Sequence, residues 1–270
     1  MNENAEIAIV GHSHLMLGID KERIEEEFDI KVSKYTREGV NVTDRYIMLQ
    51  QLLESNEQMK TLIYGVDAWT FTNKGLSSNS YKLFYPFLDS RAVKDYVYAH
   101  SSPIDYMAKR IIRTTRYDEL LLSGSVRGYL GEWTNLKFGK VDVEGLKTNI
   151  ANGNFRKIKN ARENIRVFRE TLELLAENNI RVILLYVPTI DLLTEVQELE
   201  YGDTLRFIEE ISGEFNNVEF LNLQGPMSHD HTLFYDAIHL NPEGQAIATQ
   251  ELISYIGSRN DPDSINTLIP

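Results

Sequence analysis

Short runs of apolar, β-branched residues recur along the chain, each followed by a stretch with helical spacing. Ile7-Ala8-Ile9-Val10-Gly11 reads as a buried strand. Leu15, Leu17, Ile19, Ile24 and Phe28 then stand among charges and predict one helix over 15–28. Ile30 to Tyr35 alternates as a second strand and ends at Glu38-Gly39-Val40-Asn41. Tyr46, Ile47, Leu49, Leu52 and Leu53 mark an amphipathic helix over 43–55, and Thr61 to Val66 is a third strand, closed by Asp67.

The alternation stops near residue 68 and resumes near 160. Asn160 to Asn179 reads as a strong helix, Ile180 to Val187 as the most apolar strand, Thr194 to Phe215 as mostly helical, and Val218 to Leu223 as a fifth strand. Pro242 to Ile256 closes the pattern as a helix with proline in its first turn, and 257–270 reads as a loosely held tail. Strand-helix alternation of this kind predicts an α/β fold with a parallel five-stranded sheet between two helical layers. The intervening 68–159 is aromatic, lacks a strand period and is too long for a bare loop, so it reads as a mainly helical insertion in a single domain spanning 1–270. Lying after the third strand, it is expected to cap the C-terminal edge of the sheet, where open α/β folds bind ligands. The plainer expectation is a helical flank that only covers the sheet.

Composition narrows the function classes. A net charge of −12 argues against duplex nucleic acid and against docking on an anionic membrane face. Zero cysteines remove disulfides, thiol catalysis and cysteine-based zinc sites. No apolar run approaches the roughly 18–20 residues that span a bilayer, and Met1 to Glu6 does not read as a signal peptide, so a soluble chain is expected. Nothing in the composition fixes a compartment. No GxGxxG or GxxxxGK[ST] follows a strand, which removes nucleotide-dependent readings, and no cofactor is called for.

The chemistry lies at the two ends of the chain. Gly11-His12-Ser13 leads from the first strand into a helix, so backbone N–H groups face whatever binds beside the Ser13 hydroxyl. Asp236-Ala237-Ile238-His239-Leu240-Asn241 precedes the last helix. An Asp that orients a His, and a His that takes a proton from a Ser, is the arrangement that makes a hydroxyl nucleophilic. Ser13, Asp236 and His239 are therefore the candidate catalytic residues, with the Ser13 N–H and Gly39 as candidate oxyanion donors. A lone Ser after a strand is ordinarily only a helix cap, and Gly39 could equally serve a turn; what lifts the reading is the pairing of both ends.

A Ser near residue 13, Gly39 after the second strand, a polar residue after the third and Asp236-x-x-His239 before the last helix resemble the SGNH/GDSL hydrolase superfamily. The likeness is greatest to the SGNH-like domains associated with polysaccharide O-acetylation and teichoic-acid modification, and covers roughly 5–67 and 160–257. It implies a three-layer α/β/α flavodoxin-like fold and esterase or acyltransferase chemistry without metal, on a glycan or other acylated small substrate. It also brings with it a membrane-bound acyl-transfer partner. The chain departs from the pattern twice: His12 replaces the usual Asp before the serine, and the third-strand Asn falls on or next to Asp67. An ionised carboxylate repels an oxyanion, so Asp67 is either protonated, turned elsewhere, or bound to a sugar hydroxyl. His12, His14 and Asp67 are accordingly grouped with Gly39 as oxyanion or substrate-binding candidates.

Two other readings stay open. His12, His14, His229 and His231, with Asp230 and Asp236, could build a zinc or iron site for a metal-assisted hydrolase. A helix starting at Leu15 turns His12 and His14 apart, which weighs against it. The third reading is a catalytically inactive carbohydrate-binding module, in which His12 and Asp67 are tolerated because nothing is catalysed.

Overall fold

The computed structural model describes residues 4–72, 80–119, 121–123, 126 and 136–260. Five parallel strands, β1 (Ile7–Gly11), β2 (Val32–Thr36), β3 (Thr61–Val66), β4 (Arg181–Tyr186) and β5 (Val218–Asn222), pair in the order β2-β1-β3-β4-β5. The register sets Ile9 beside both Lys34 and Ile63, and Tyr64 beside Leu184.

Side-chain alternation along the strands divides the core into two layers. Ala8, Val10, Leu62, Tyr64, Val182 and Leu184 face α3 (Val42–Ser55), α7 (Arg162–Glu177) and α9 (Glu198–Gly213). Ile7, Ile9, Ile63, Ile183 and Leu185 face α1 (Ser13–Gly18), α2 (Lys21–Phe28) and α10 (Pro242–Asn260). The result is the α/β/α, flavodoxin-like architecture implied by the SGNH resemblance. Its order changes direction between β1 and β3, the switch point where such sheets open a crevice beyond their strand ends.

The helix expected over 15–28 is two helices. Ile19 is extended, and Asp20 caps α2 by accepting from Glu22 N–H while its own N–H donates to Thr249 Oγ1 of α10. The helix expected over 194–215 is likewise divided, into α8 (Asp191–Glu195) and α9. The last helix runs on to Asn260, so only 261–270 of the expected tail lies outside the described residues.

Between β3 and α7 the described residues are mainly helical: a 3-10 turn at Ser80–Phe87, α4 (Arg91–His100), α5 (Pro103–Ile111) and α6 (Val143–Ala151). Phe84, Tyr85, Leu88, Val93, Val97 and Tyr106 bury against Ile47, on the side of α3 turned away from the sheet. Tyr96 Oη donates to Asp44, which closes the capping box at the start of α3. Helices α4 and α5 therefore flank α3. The ends of the segment do reach the crevice, through Trp69, Thr70, Thr72 and Arg156. Among the described residues no helix is long and apolar enough to cross a membrane.

Candidate active site

Ser13 opens α1 directly after β1, with His12 as the cap residue. Gly11 and Gly65 leave the space into which Leu15 packs, so α1 lies close on the sheet and Ser13 is held at its edge, buried. The second half of the site comes from the loop before α10. Phe234 and Leu240 form an antiparallel bridge, and Tyr235 N–H donates to the His239 carbonyl at 2.9 Å, which closes the loop tightly. Asn241 caps the helix: its Oδ1 accepts from the N–H groups of Glu243 and Gly244, and its Nδ2 donates to Thr232 O at 2.7 Å. Gly244 has a steric reason, because a Cβ there would press into the Leu233 carbonyl.

This loop delivers an aligned set of contacts. Asp236 Oδ1 accepts from the N–H groups of Ile238 and His239, each at 2.9 Å. Its Oδ2 lies 2.8 Å from His239 Nδ1, and His239 Nε2 lies 2.8 Å from Ser13 Oγ. Partial burial alone would raise the Asp236 pKa; the hydrogen bond and charge of His239 outweigh it, and the carboxyl is held below its usual range. Asp236 accepts from Nδ1, which leaves Nε2 as the nitrogen facing the Ser13 hydroxyl.

Asp67, at the end of β3, is buried and turned toward both neighbours of the serine. Its Oδ2 lies 3.0 Å from His12 Nε2 and 3.3 Å from His14 Nδ1. Oδ1 accepts from Trp69 N–H at 2.8 Å and from Thr70 Oγ1 at 3.1 Å. Burial would raise the Asp67 pKa, but His12, His14 and then Arg156 pull it far below the usual range. The carboxylate is therefore ionised rather than protonated. His12 has little left to offer a substrate: Nδ1 accepts from His14 N–H at 3.3 Å, and Nε2 faces Asp67. His14 is enclosed, its ring edge-on to those of His12, Trp69 and His239 at 4.6, 6.5 and 5.4 Å.

His12 and His14 thus converge, contrary to the expectation that the helix turns them apart, because α1 begins at Ser13 and not at Leu15. His229 and His231 belong to a different group. They lie 2.7 Å from the two oxygens of Asp191, at the start of α8. Among the described residues, the sets with metal-ligand spacing are His12-His14-Asp67 and Asp191-Glu195-His229, so the four histidines divide between two carboxylates.

The crevice beside Ser13 is a narrow cavity of about 30 Å³, lined by His12, His14, Asn41, Asp67, Trp69 and Arg156 among others. Gly39 sits in the turn after β2 with φ +80°, a conformation that favours glycine; it is buried and does not itself line the cavity. Asn41 and Arg156 are among the polar lining residues that the sequence did not single out. Asn41 caps α3 with Oδ1 on Asp44 N–H at 2.9 Å, which leaves its Nδ2 group uncommitted among the described residues. Arg156 lies with its guanidinium 5.7 Å from the Trp69 ring centroid. The Asn41-x-x-Asp44 capping pattern is a readable signal for the first; nothing local marks the second.

No protein-family model matches the chain, nor does any curated protein match it in sequence. Solved structures do. A Streptococcus pneumonia chain provisionally described as a platelet activating factor is 11% identical over 93% of this chain and 83% of its own, with a TM-score of 0.42. A carbohydrate esterase family 2 enzyme with a carbohydrate binding domain, from Corynascus thermopiles (Myceliophthora fergusii), is 9% identical over 93% of this chain and 65% of its own, with a TM-score of 0.49. An acetyl xylan esterase from Butyrivibrio proteoclasticus is 10% identical over 94% and 63%, with a TM-score of 0.40. The chain thus spans less than two thirds of either esterase chain.

Proposed function

We propose that the protein is a serine-dependent esterase or O-acyltransferase, acting on a short acyl ester, acetyl foremost, of a glycan. The observation that carries this reading is the unbroken run of contacts from Asp236 to His239 Nδ1 and from His239 Nε2 to Ser13 Oγ. In the first half-reaction Ser13 Oγ attacks the acyl carbon while His239 Nε2 takes the hydroxyl proton, and Asp236 offsets the imidazolium charge. Collapse breaks the ester C–O bond, and His239 returns the proton to the departing sugar hydroxyl. Water or an acceptor hydroxyl then attacks the acyl-enzyme by the same route in reverse. The negative oxygen formed on the way is met by the Ser13 N–H and by Asn41 Nδ2. Asn41 takes the part that Asp67, ionised and turned to the histidines, is unsuited to play. The narrowness of the cleft favours a small acyl group, and the glycan follows from the family resemblance.

Treatment with a fluorophosphonate and with p-nitrophenyl acetate tests the reading. Wild-type protein is expected to be labelled at Ser13 and to release p-nitrophenol in a Ser13-dependent manner. A folded wild-type protein that binds sugar yet neither labels nor turns over would leave the binding-module reading in its place.

A second reading has one specific observation behind it. Buried His12 Nε2 and His14 Nδ1 converge on one Asp67 oxygen without either making a well-directed hydrogen bond to it. Two imidazoles and a carboxylate so placed match a divalent-cation donor set. Activity that survives Ser13→Ala but is lost to a chelator would favour it over the serine mechanism.

A further inference from the structure

We propose that Arg156 makes this cleft selective for an anionic substrate, a glycan ester carrying a carboxylate or phosphate group beside the acylated position. The inference rests on the esterase reading for the identity of the cleft, and goes beyond it in naming the charge of the ligand. Two arginines line the cavity, Arg45 and Arg156. Arg45 is buried and held inside the fold: Nη1 donates to Gly65 O at 2.6 Å, Nε donates to Asn41 O at 3.3 Å, and the guanidinium lies over Tyr64. The Arg156 guanidinium makes no hydrogen bond and no ion pair with any described residue.

The residue is nevertheless held firmly. Its carbonyl accepts from Trp69 Nε1 and from Gln197 Nε2, each at 3.0 Å, and its guanidinium lies across the face of that same indole. Its backbone is therefore tied to the ring that its side chain covers. A planar, permanently charged fork backed by an aromatic ring suits bidentate recognition of a carboxylate or phosphate. Asp67 is the negative charge that would oppose such a ligand, but its two oxygens are taken up by His12 and His14 and by Trp69 N–H and Thr70 Oγ1. In a chain of net charge −12, a guanidinium that lines the same cavity as Ser13 and has no ion-pair partner among the described residues is what would draw an anionic ligand inward.

The test separates binding from turnover. Ser13→Ala protein is titrated with an oligogalacturonate, a glycerol-phosphate oligomer and a neutral xylo-oligosaccharide, followed by tryptophan fluorescence. At least one anionic oligomer is expected to bind tenfold or more tighter than the neutral one, and which of them does so tells carboxylate from phosphate. Adding Arg156→Gln should erase the difference, whereas Arg156→Lys should retain part of it. On acetylated forms of the same oligomers, Arg156→Gln in the otherwise wild-type chain should raise KM for the anionic substrate far more than it lowers kcat. Equal affinity for all three oligomers, or a preference unchanged in Arg156→Gln, would overturn the proposal. Anionic selectivity in the Ser13→Ala titration, with no turnover by the wild type, would uphold the subsite and sink only the esterase reading.

Discussion

Ser13 Oγ and His239 Nε2 lie 2.8 Å apart although 226 residues separate them in sequence. Ser13 is placed by the end of β1 and His239 by the loop before α10, and α1 and α10 pack on the same face of the sheet. Their proximity is therefore a property of the whole fold, and residues acting through one proton transfer behave as a unit. Ser13→Ala and His239→Ala are each expected to lower kcat by about four orders of magnitude or more, and the double variant by no more than either single one. Asp236 is less enclosed, at 43% side-chain exposure, so water can partly replace it. Asp236→Asn should cost less, on the order of 10²- to 10³-fold. Steady-state kinetics on p-nitrophenyl acetate distinguishes these; additive losses would contradict the shared mechanism.

Asp67 carries a structural load that a substrate-binding carboxylate would not. Its removal in Asp67→Ala strands the donors of Trp69 and Thr70 and leaves two imidazoles facing a void. A loss on the order of 3 kcal/mol is expected from urea denaturation. Because His12 and His14 flank Ser13, fluorophosphonate labelling should slow in parallel. A variant within about 0.5 kcal/mol of wild type, the range of ordinary surface substitutions, would show that the cluster does not hold the site together.

Much of this arrangement was legible in the residues, and the exceptions have physical causes. The strands stood out because a sheet buried on both faces needs continuous β-branched runs. The order of Ser13, Asp236 and His239 could be read because each sits beside an element boundary marked by glycine or proline. The meeting of His12, His14 and Asp67 could not, since it depends on α1 starting two residues before the first periodic apolar position. Arg156 was hidden because it lies at the end of a long segment without period. The packing of α4 and α5 on α3 did leave a trace: Tyr46, Ile47, Met48 and Leu49 form too wide an apolar stripe for a helix with one buried face.

Acid should destabilise the protein through His14. Burial pushes its imidazole well below the ordinary value of 6.5; Asp67 pulls the other way, while His12, His239 and Arg156 add to the lowering. Below pH 6.5 the unfolded chain therefore binds a proton that the folded chain refuses. Stability falls as pH drops from there toward the folded value, by up to about 1.4 kcal/mol per pH unit. Asp67, lowered from 3.8, adds a loss of the same sign at still lower pH. Urea midpoints between pH 7 and 5 should show the decline, and His14→Gln should flatten it. A midpoint that holds steady or rises on acidification would mean that His14 takes up its proton within the fold.

The closest packing in the site lies under the helix that bears the nucleophile. A Cβ on Gly65, in β3, would collide with Cδ1 and Cγ of Leu15, two residues beyond Ser13, and a Cβ on Gly11 would meet the same side chain. Leu15 is itself buried between α1 and the sheet, so it cannot swing into solvent. Gly65→Ala must then either force Leu15 off its rotamer or lift α1, at a cost of about 1–3 kcal/mol. Lifting α1 carries Ser13 away from His239, whose loop is pinned independently through Asn241 and the Phe234–Leu240 bridge. Thermal melts and fluorophosphonate labelling together should therefore show a larger loss of Ser13 reactivity than the lost stability accounts for. Leu15→Ala on the Gly65→Ala background should restore part of the labelling by making room for the added methyl. Rescue would establish that the contact sets the position of the serine; no rescue would mean that Gly65 matters to the sheet alone.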